Sequence, residues 1–62
     1  MCLSTVYRNE KTSDAILMRN VPEIECEEGQ AILTDLMENQ LTIPGKLKKA
    51  NLVEGYVIVL AD

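Results

Sequence analysis

Two thiols carry most of the chemistry this chain could do. Its 62 residues include Cys2 and Cys26 but no His, so the commonest general base and the commonest zinc ligand are both missing. Cys2 directly follows Met1. Initiator methionine is generally removed before a small residue, and the mature chain would then begin at Cys2. A terminal cysteine carries an amine and a thiol that close a five-membered ring on a metal ion. The amine titrates at about pH 7.7–8.0 and the thiol at about 8.5, and a metal can displace both protons near neutrality. If Met1 stays, the thiolate can act with the deprotonated amide nitrogen of Cys2. Such N,S donors suit square-planar Ni(II) and Cu(II). One residue supplies two ligands, and the Cys2 of a second chain, met across a two-fold axis, would supply the other two. The plain alternative is that Cys2 is a small hydrophobe on a strand.

The remaining candidates are weaker. Cys26 shares a strand face with Ile24 and has Glu25, Glu27 and Glu28 beside it in sequence. Negative neighbours and burial both raise a thiol's pKa, so Cys26 reads as core. Glu23, Glu25, Glu27 and Glu28 lack the Gly and Asp/Asn spacing of a calcium loop and read as a solvated strand face. Lys46, Lys48 and Lys49 form the one basic cluster and fit an edge strand guarded against further pairing. Met18 and Met37 read as core filler. No Ser-His or Cys-His pair can be assembled, there is no Gly-rich phosphate loop, and so short a chain is not expected to enclose a cleft of about 300–1,000 Å³. The chain is expected not to be an enzyme.

The elements that position these residues read as short strands. Turn signals recur at Asn9 to Asp14, Glu28-Gly29, Glu38-Asn39, Pro44-Gly45 and Glu54-Gly55, with segments rich in Val, Ile, Leu and Thr between them. The strands expected are Cys2 to Arg8, Ala15 to Arg19, Glu23 to Glu27, Ala31 to Leu36, Gln40 to Ile43, Leu47 to Leu52 and Tyr56 to Leu60. Glu23 to Glu27 alternates as a strand with one face in water does. Ala31 to Leu41 supports two readings. Ile32, Leu33, Leu36, Met37, Gln40 and Leu41 fall on a helical stripe, while Glu38-Asn39 suits a hairpin turn, and the hairpin is preferred. The fold class is therefore all-β, a small antiparallel barrel of about six to seven short strands in one domain over 1–62.

Size and charge narrow the function. A domain this short buries only about 60% of the surface its unfolded chain exposes, and two cysteines are too few for a disulfide scaffold. Association into a homodimer is the expected source of further stability. No apolar run approaches the ~20 residues that span a bilayer, and Met1 to Arg8 lacks the pattern of a signal peptide, so a cytoplasmic setting with reduced thiols is expected. A net charge of −4 and only two aromatic residues, Tyr7 and Tyr56, make nucleic acid an unlikely partner.

The order of these features resembles a known family. Met1-Cys2-Leu3-Ser4-Thr5-Val6-Tyr7 is followed by the apolar Ala15 to Met18, by Val21 to Cys26, and by Ile32-Leu33-Thr34-Asp35-Leu36. Gly45, an apolar-basic stretch, Asn51-Leu52 and Tyr56 to Leu60 complete the pattern. Over the whole length this is similar to the CooT family of small proteins from anaerobic bacteria and archaea. The family takes its name from an accessory protein for nickel insertion into carbon monoxide dehydrogenase. The resemblance implies a β-barrel of Sm-like or SH3-like character, a homodimer, and Ni(II) held at the dimer interface by the cysteine after the initiator methionine, here Cys2. Relatives often carry a Leu-Phe-Gly-Glu-like turn after the Asp-Leu pair. This chain has Met37-Glu38-Asn39 there, without the aromatic residue or the glycine.

The resulting expectation is a nickel(II)-binding accessory protein for nickel storage or delivery, with a nickel enzyme such as carbon monoxide dehydrogenase or its maturation factors as partner. Affinity order alone would favour Cu(II); a reducing anaerobic cytoplasm favours Ni(II). Two alternatives stand beside it. One is an Sm-like RNA-binding module using Lys46 to Lys49; the other is a structural or interaction module to which metal is irrelevant.

Overall fold

The computed structural model describes residues 3–61. Six strands make up almost all of the regular structure: β1 (Ser4–Arg8), β2 (Ile16–Val21), β3 (Glu23–Glu27), β4 (Gln30–Thr34), β5 (Gln40–Asn51) and β6 (Tyr56–Ala61). A single 3-10 turn at Ser13–Ala15 leads into β2. The all-β expectation therefore holds.

One sheet runs in the order β2-β1-β6-β5-β4-β3. Its two outermost strands, β2 and β3, are consecutive in sequence with only Pro22 between them. A sheet whose first and last strands meet at one residue has to curl, and this one forms a half-barrel. Pro22 suits the junction because it offers no N–H for either strand to leave unsatisfied. All pairings are antiparallel except that of β1 with β6, which is parallel with Val6 beside Val57 and Tyr7 beside Ile58. The expected barrel was wholly antiparallel. The difference arises because β6 returns to the open side of β1 only after the chain has built four other strands.

The inner face holds the core. Val6, Val21, Ala31, Leu33, Val57 and Val59 are buried, with Leu17, Met18, Ile24, Leu41 and Ile43 packed against them. The strand β6 is covered on both faces, which explains its unbroken apolar run. Its outward Tyr56 meets Tyr7 edge-on, ring centroids 6.3 Å apart. Lys11 Nζ lies 4.5 Å from the Tyr56 ring centre and Lys49 Nζ 5.7 Å, distances at which an ammonium is attracted to a ring face.

The two strands expected at Gln40 to Ile43 and Leu47 to Leu52 are one. Pro44-Gly45 is a corner, not a turn. Before it β5 pairs with β4; after it β5 pairs with β6. The backbone bonds Gly45 N to Gly29 O at 2.8 Å and Asp35 N to Asn39 O at 3.0 Å show that odd-numbered residues of β4 bond to β5. Pro44, opposite Gln30, therefore sits where no N–H is called for. Gly45 is required by close approach: a Cβ there would lie 2.0 Å from the Leu60 carbonyl oxygen.

Ala31 to Leu41 is a hairpin. Asp35 organises its turn: Oδ1 accepts from the backbone N–H of Met37 (2.8 Å) and of Asn39 (2.9 Å), and Oδ2 accepts from the Asn39 side-chain amide (3.1 Å). These bonds, those from Asn39 first, hold the Asp35 carboxyl below its ordinary pKa. Glu38 takes a left-handed φ of 64°, the conformation a glycine would accept without strain. Met37 points into solvent, 81% exposed, and is not core filler; Met18 does pack against the core.

Candidate metal centre and the surfaces beside it

Cys2 lies outside the described residues. What the structure gives is the ground beside it. Ser4, two residues on, is buried and opens β1. The Thr5 N–H donates to Gly55 O at 2.9 Å, tying the start of β1 to the turn between β5 and β6. The Leu3 carbonyl oxygen lies 3.4 Å from where a Cβ on Gly55 would stand, so Leu3 runs directly along that turn. The turn carries Leu52 and Val53, which are 66% and 98% exposed. Two large apolar side chains thus stand in water beside the N-terminal strand.

Cys26 is exposed, which corrects the reading of it as core. Alternation identified its face correctly, since it lines the inner side of the half-barrel with Ile24. Among the described residues no strand closes the sheet at that point, and Cys26 is left uncovered. Between β3 and the second half of β5 there is instead an open groove of about 460 Å³, with Ser4, Ile24, Cys26, Leu47, Ala50 and Leu52 among its walls. The chain thus forms a cleft of a size the sequence seemed too short to enclose, although an open one. Spacing in the sequence carries no signal for it; the groove exists because β5 changes partners at Gly45.

Among the described residues no three His, Cys, Asp or Glu side chains converge as a metal site. Glu23, Glu25 and Glu27 stand in a row on the exposed face of β3, as expected. Glu27, by a hydrogen bond and by its charge, raises the Glu25 carboxyl above its ordinary pKa, with loss of hydration and Glu23 adding to the effect. Lys46, Lys48 and Lys49 fall on the half of β5 that has β6 on one side and no strand on the other. That matches the edge-guarding reading. Lys48 Nζ donates to the Asn9 carbonyl at 3.3 Å. Lys49 lies by Tyr56 and, ahead of Asn51, lowers the pKa of its phenol. Tyr56 is itself buried, so it offers no open ring face for a base to stack on.

No helix of the described residues is long and apolar enough to cross a membrane. A search of curated proteins finds no match. Among solved structures, the chain is similar to the crystal structure of the protein assigned as CooT in Carboxydothermus hydrogenoformans, with a TM-score of 0.83 and 15% sequence identity over 98% of each chain. At that identity the likeness speaks for the fold. The family model described as CO dehydrogenase accessory protein CooT matches residues 1–60, nearly the whole sequence and including Met1-Cys2, and on that match the chain belongs to the CooT family.

Proposed function

We propose that this protein is a homodimeric nickel(II) carrier in which Cys2 of each chain binds one shared Ni(II), for storage or for delivery to a nickel enzyme such as carbon monoxide dehydrogenase. The observation that carries the reading is the family match from residue 1, which includes the Met1-Cys2 pair. Two further observations support it. The residues that follow Cys2 are anchored to the sheet through Thr5 and Gly55, so they offer a defined platform. The exposed Leu52 and Val53 flank that platform and supply apolar surface for a two-fold contact that would bring two N-termini together. The nickel is cargo, and the protein acts by binding and release without catalysis. Its setting in this reading is the cytoplasm, where both thiols stay reduced.

The chemistry is that of thiolate and nitrogen donors on one residue, repeated by symmetry to four ligands in a plane. A titration of freshly reduced protein with Ni(II), followed in the thiolate-to-metal charge-transfer region, is expected to saturate at one nickel per two chains. The Cys2→Ser variant is expected to show no such band. Equal nickel binding by that variant would end the proposal.

A further inference from the structure

Among the described residues, the strand edge that bounds the groove beside β3 has no partner. Odd residues of β4 bond to β5, so its even residues Gln30, Ile32 and Thr34 bond to Glu27, Glu25 and Glu23 of β3. The backbone N–H and C=O groups of Ile24 and Cys26 therefore turn away from the sheet. Their side chains line the groove. On the far side of the groove, Leu47 and Ala50 lie opposite Val59 and Val57 of β6 and face the same interior. The space between is an apolar floor with an open hydrogen-bonding wall, the arrangement that accepts an added strand.

Charge says what kind of strand fits. A strand beside β3 would place alternate residues inward, over Ile24, Cys26, Leu47 and Ala50, and the others outward, beside Glu23, Glu25 and Glu27. All three glutamates are exposed, and Glu27 and Glu23 both act to raise the Glu25 carboxyl above its ordinary pKa. Opposite charges side by side on neighbouring strands attract, and like charges repel. A second copy pairing β3 with β3 would set the two glutamate rows against each other, so this edge rejects its own kind. We propose that β3 receives an extended segment of a partner protein whose residues alternate between apolar and Lys or Arg, bound as an added strand over the groove. The groove reaches Ser4 and Leu52 at one end, and the proposal does not depend on the metal reading.

The test uses a blocked octapeptide of alternating Lys and Val, titrated into the whole protein and followed by amide NMR. Saturable shifts confined to β3 and the groove, with slowed hydrogen exchange at the amides of Ile24 and Cys26, are expected. The same peptide with Glu in place of Lys, or with alternate amides N-methylated, should not bind. The triple variant Glu23→Lys, Glu25→Lys, Glu27→Lys should weaken binding by about tenfold or more. The milder Glu23→Gln, Glu25→Gln, Glu27→Gln should give a smaller loss with the fold intact. Failure to saturate, equal binding of the Glu peptide, or shifts that leave Ile24 and Cys26 unmoved would overturn the proposal. So would exchange at Ile24 and Cys26 that slows with protein concentration alone, which would mean a second copy occupies the edge. Repeating the titration on Cys2→Ser separates this outcome from that of the nickel proposal.

Discussion

At the scale of single residues, the turn at Asp35 is the clearest case of one side chain deciding local structure. Its carboxylate accepts three hydrogen bonds, and these lower its pKa in the folded chain. A depressed carboxyl stabilises the fold fully above the unfolded value of about 4, and that contribution disappears as the pH falls through the lower folded value. Asp35→Asn is therefore expected to be less stable than the parent protein at pH 7, with the gap closing as the pH falls below 4. Urea denaturation of both proteins at pH 7 and pH 3 checks this. The same turn holds Glu38 at a left-handed φ, where a side chain costs about 1–2 kcal/mol. Glu38→Gly relieves that strain, partly offset by glycine's greater freedom in the unfolded chain. A net gain of roughly 0.5–1 kcal/mol is expected in the same denaturation experiment.

Cys26 shows what residue-level reading can and cannot reach. The alternation of Ile24 and Cys26 with three glutamates told which way Cys26 faces. Whether that face is covered depends on the strand opposite, and the sequence near Cys26 holds no information about where β5 leaves β4. The hairpin was legible for the opposite reason: its turn signal, Glu38-Asn39, is local and outweighed the helical stripe of Ile32, Leu33 and Leu36. The part Asp35 plays in closing the turn was not read from the sequence.

At the scale of elements, β5 carries the architecture. It serves β4 with its first half and β6 with its second, and Gly45 is the point of transfer. Pro44-Gly45 has the composition of a turn and was read as one. The structure shows why it is a corner: the proline occupies a position that needs no N–H, and the glycine allows the Leu60 carbonyl to approach. A Cβ at 2.0 Å from that oxygen cannot be accommodated without moving backbone on β5 or β6. Gly45→Ala is expected to cost about 3 kcal/mol, the upper end of what forced overpacking costs, seen as a lower denaturation midpoint. A cost below about 0.5 kcal/mol would show that β5 bends elsewhere. Asn9 locks the other end of the sheet. Its backbone N–H donates to Val59 O at 2.8 Å, and its side-chain oxygen accepts from the Ala61 N–H at 2.8 Å, which fastens the end of β1 to the end of β6.

At the scale of the whole molecule, the half-barrel formed by the described residues is left open along one side, and two exposed surfaces differ in character. The turn at Leu52 and Val53 is apolar and adjoins the start of β1. The edge of β3 is acidic outside and apolar within. The first surface is proposed to bring two chains together around Cys2 and the second to admit a basic partner strand, and Leu52 borders both. The all-β class was legible in the turn spacing and the β-branched runs. Cys2 was singled out by its position after Met1 and by the family pattern, not by any constellation of ligands. A site completed by symmetry leaves no spacing signal within one chain.

Native mass spectrometry of the reduced protein after equilibration with Ni(II) tests the central claim most directly. A species of two chains and one nickel is expected, with Cys2→Ser yielding no nickel-bound species under the same conditions. Nickel retained by Cys2→Ser at the same ratio, or one nickel held by each single chain, would contradict it.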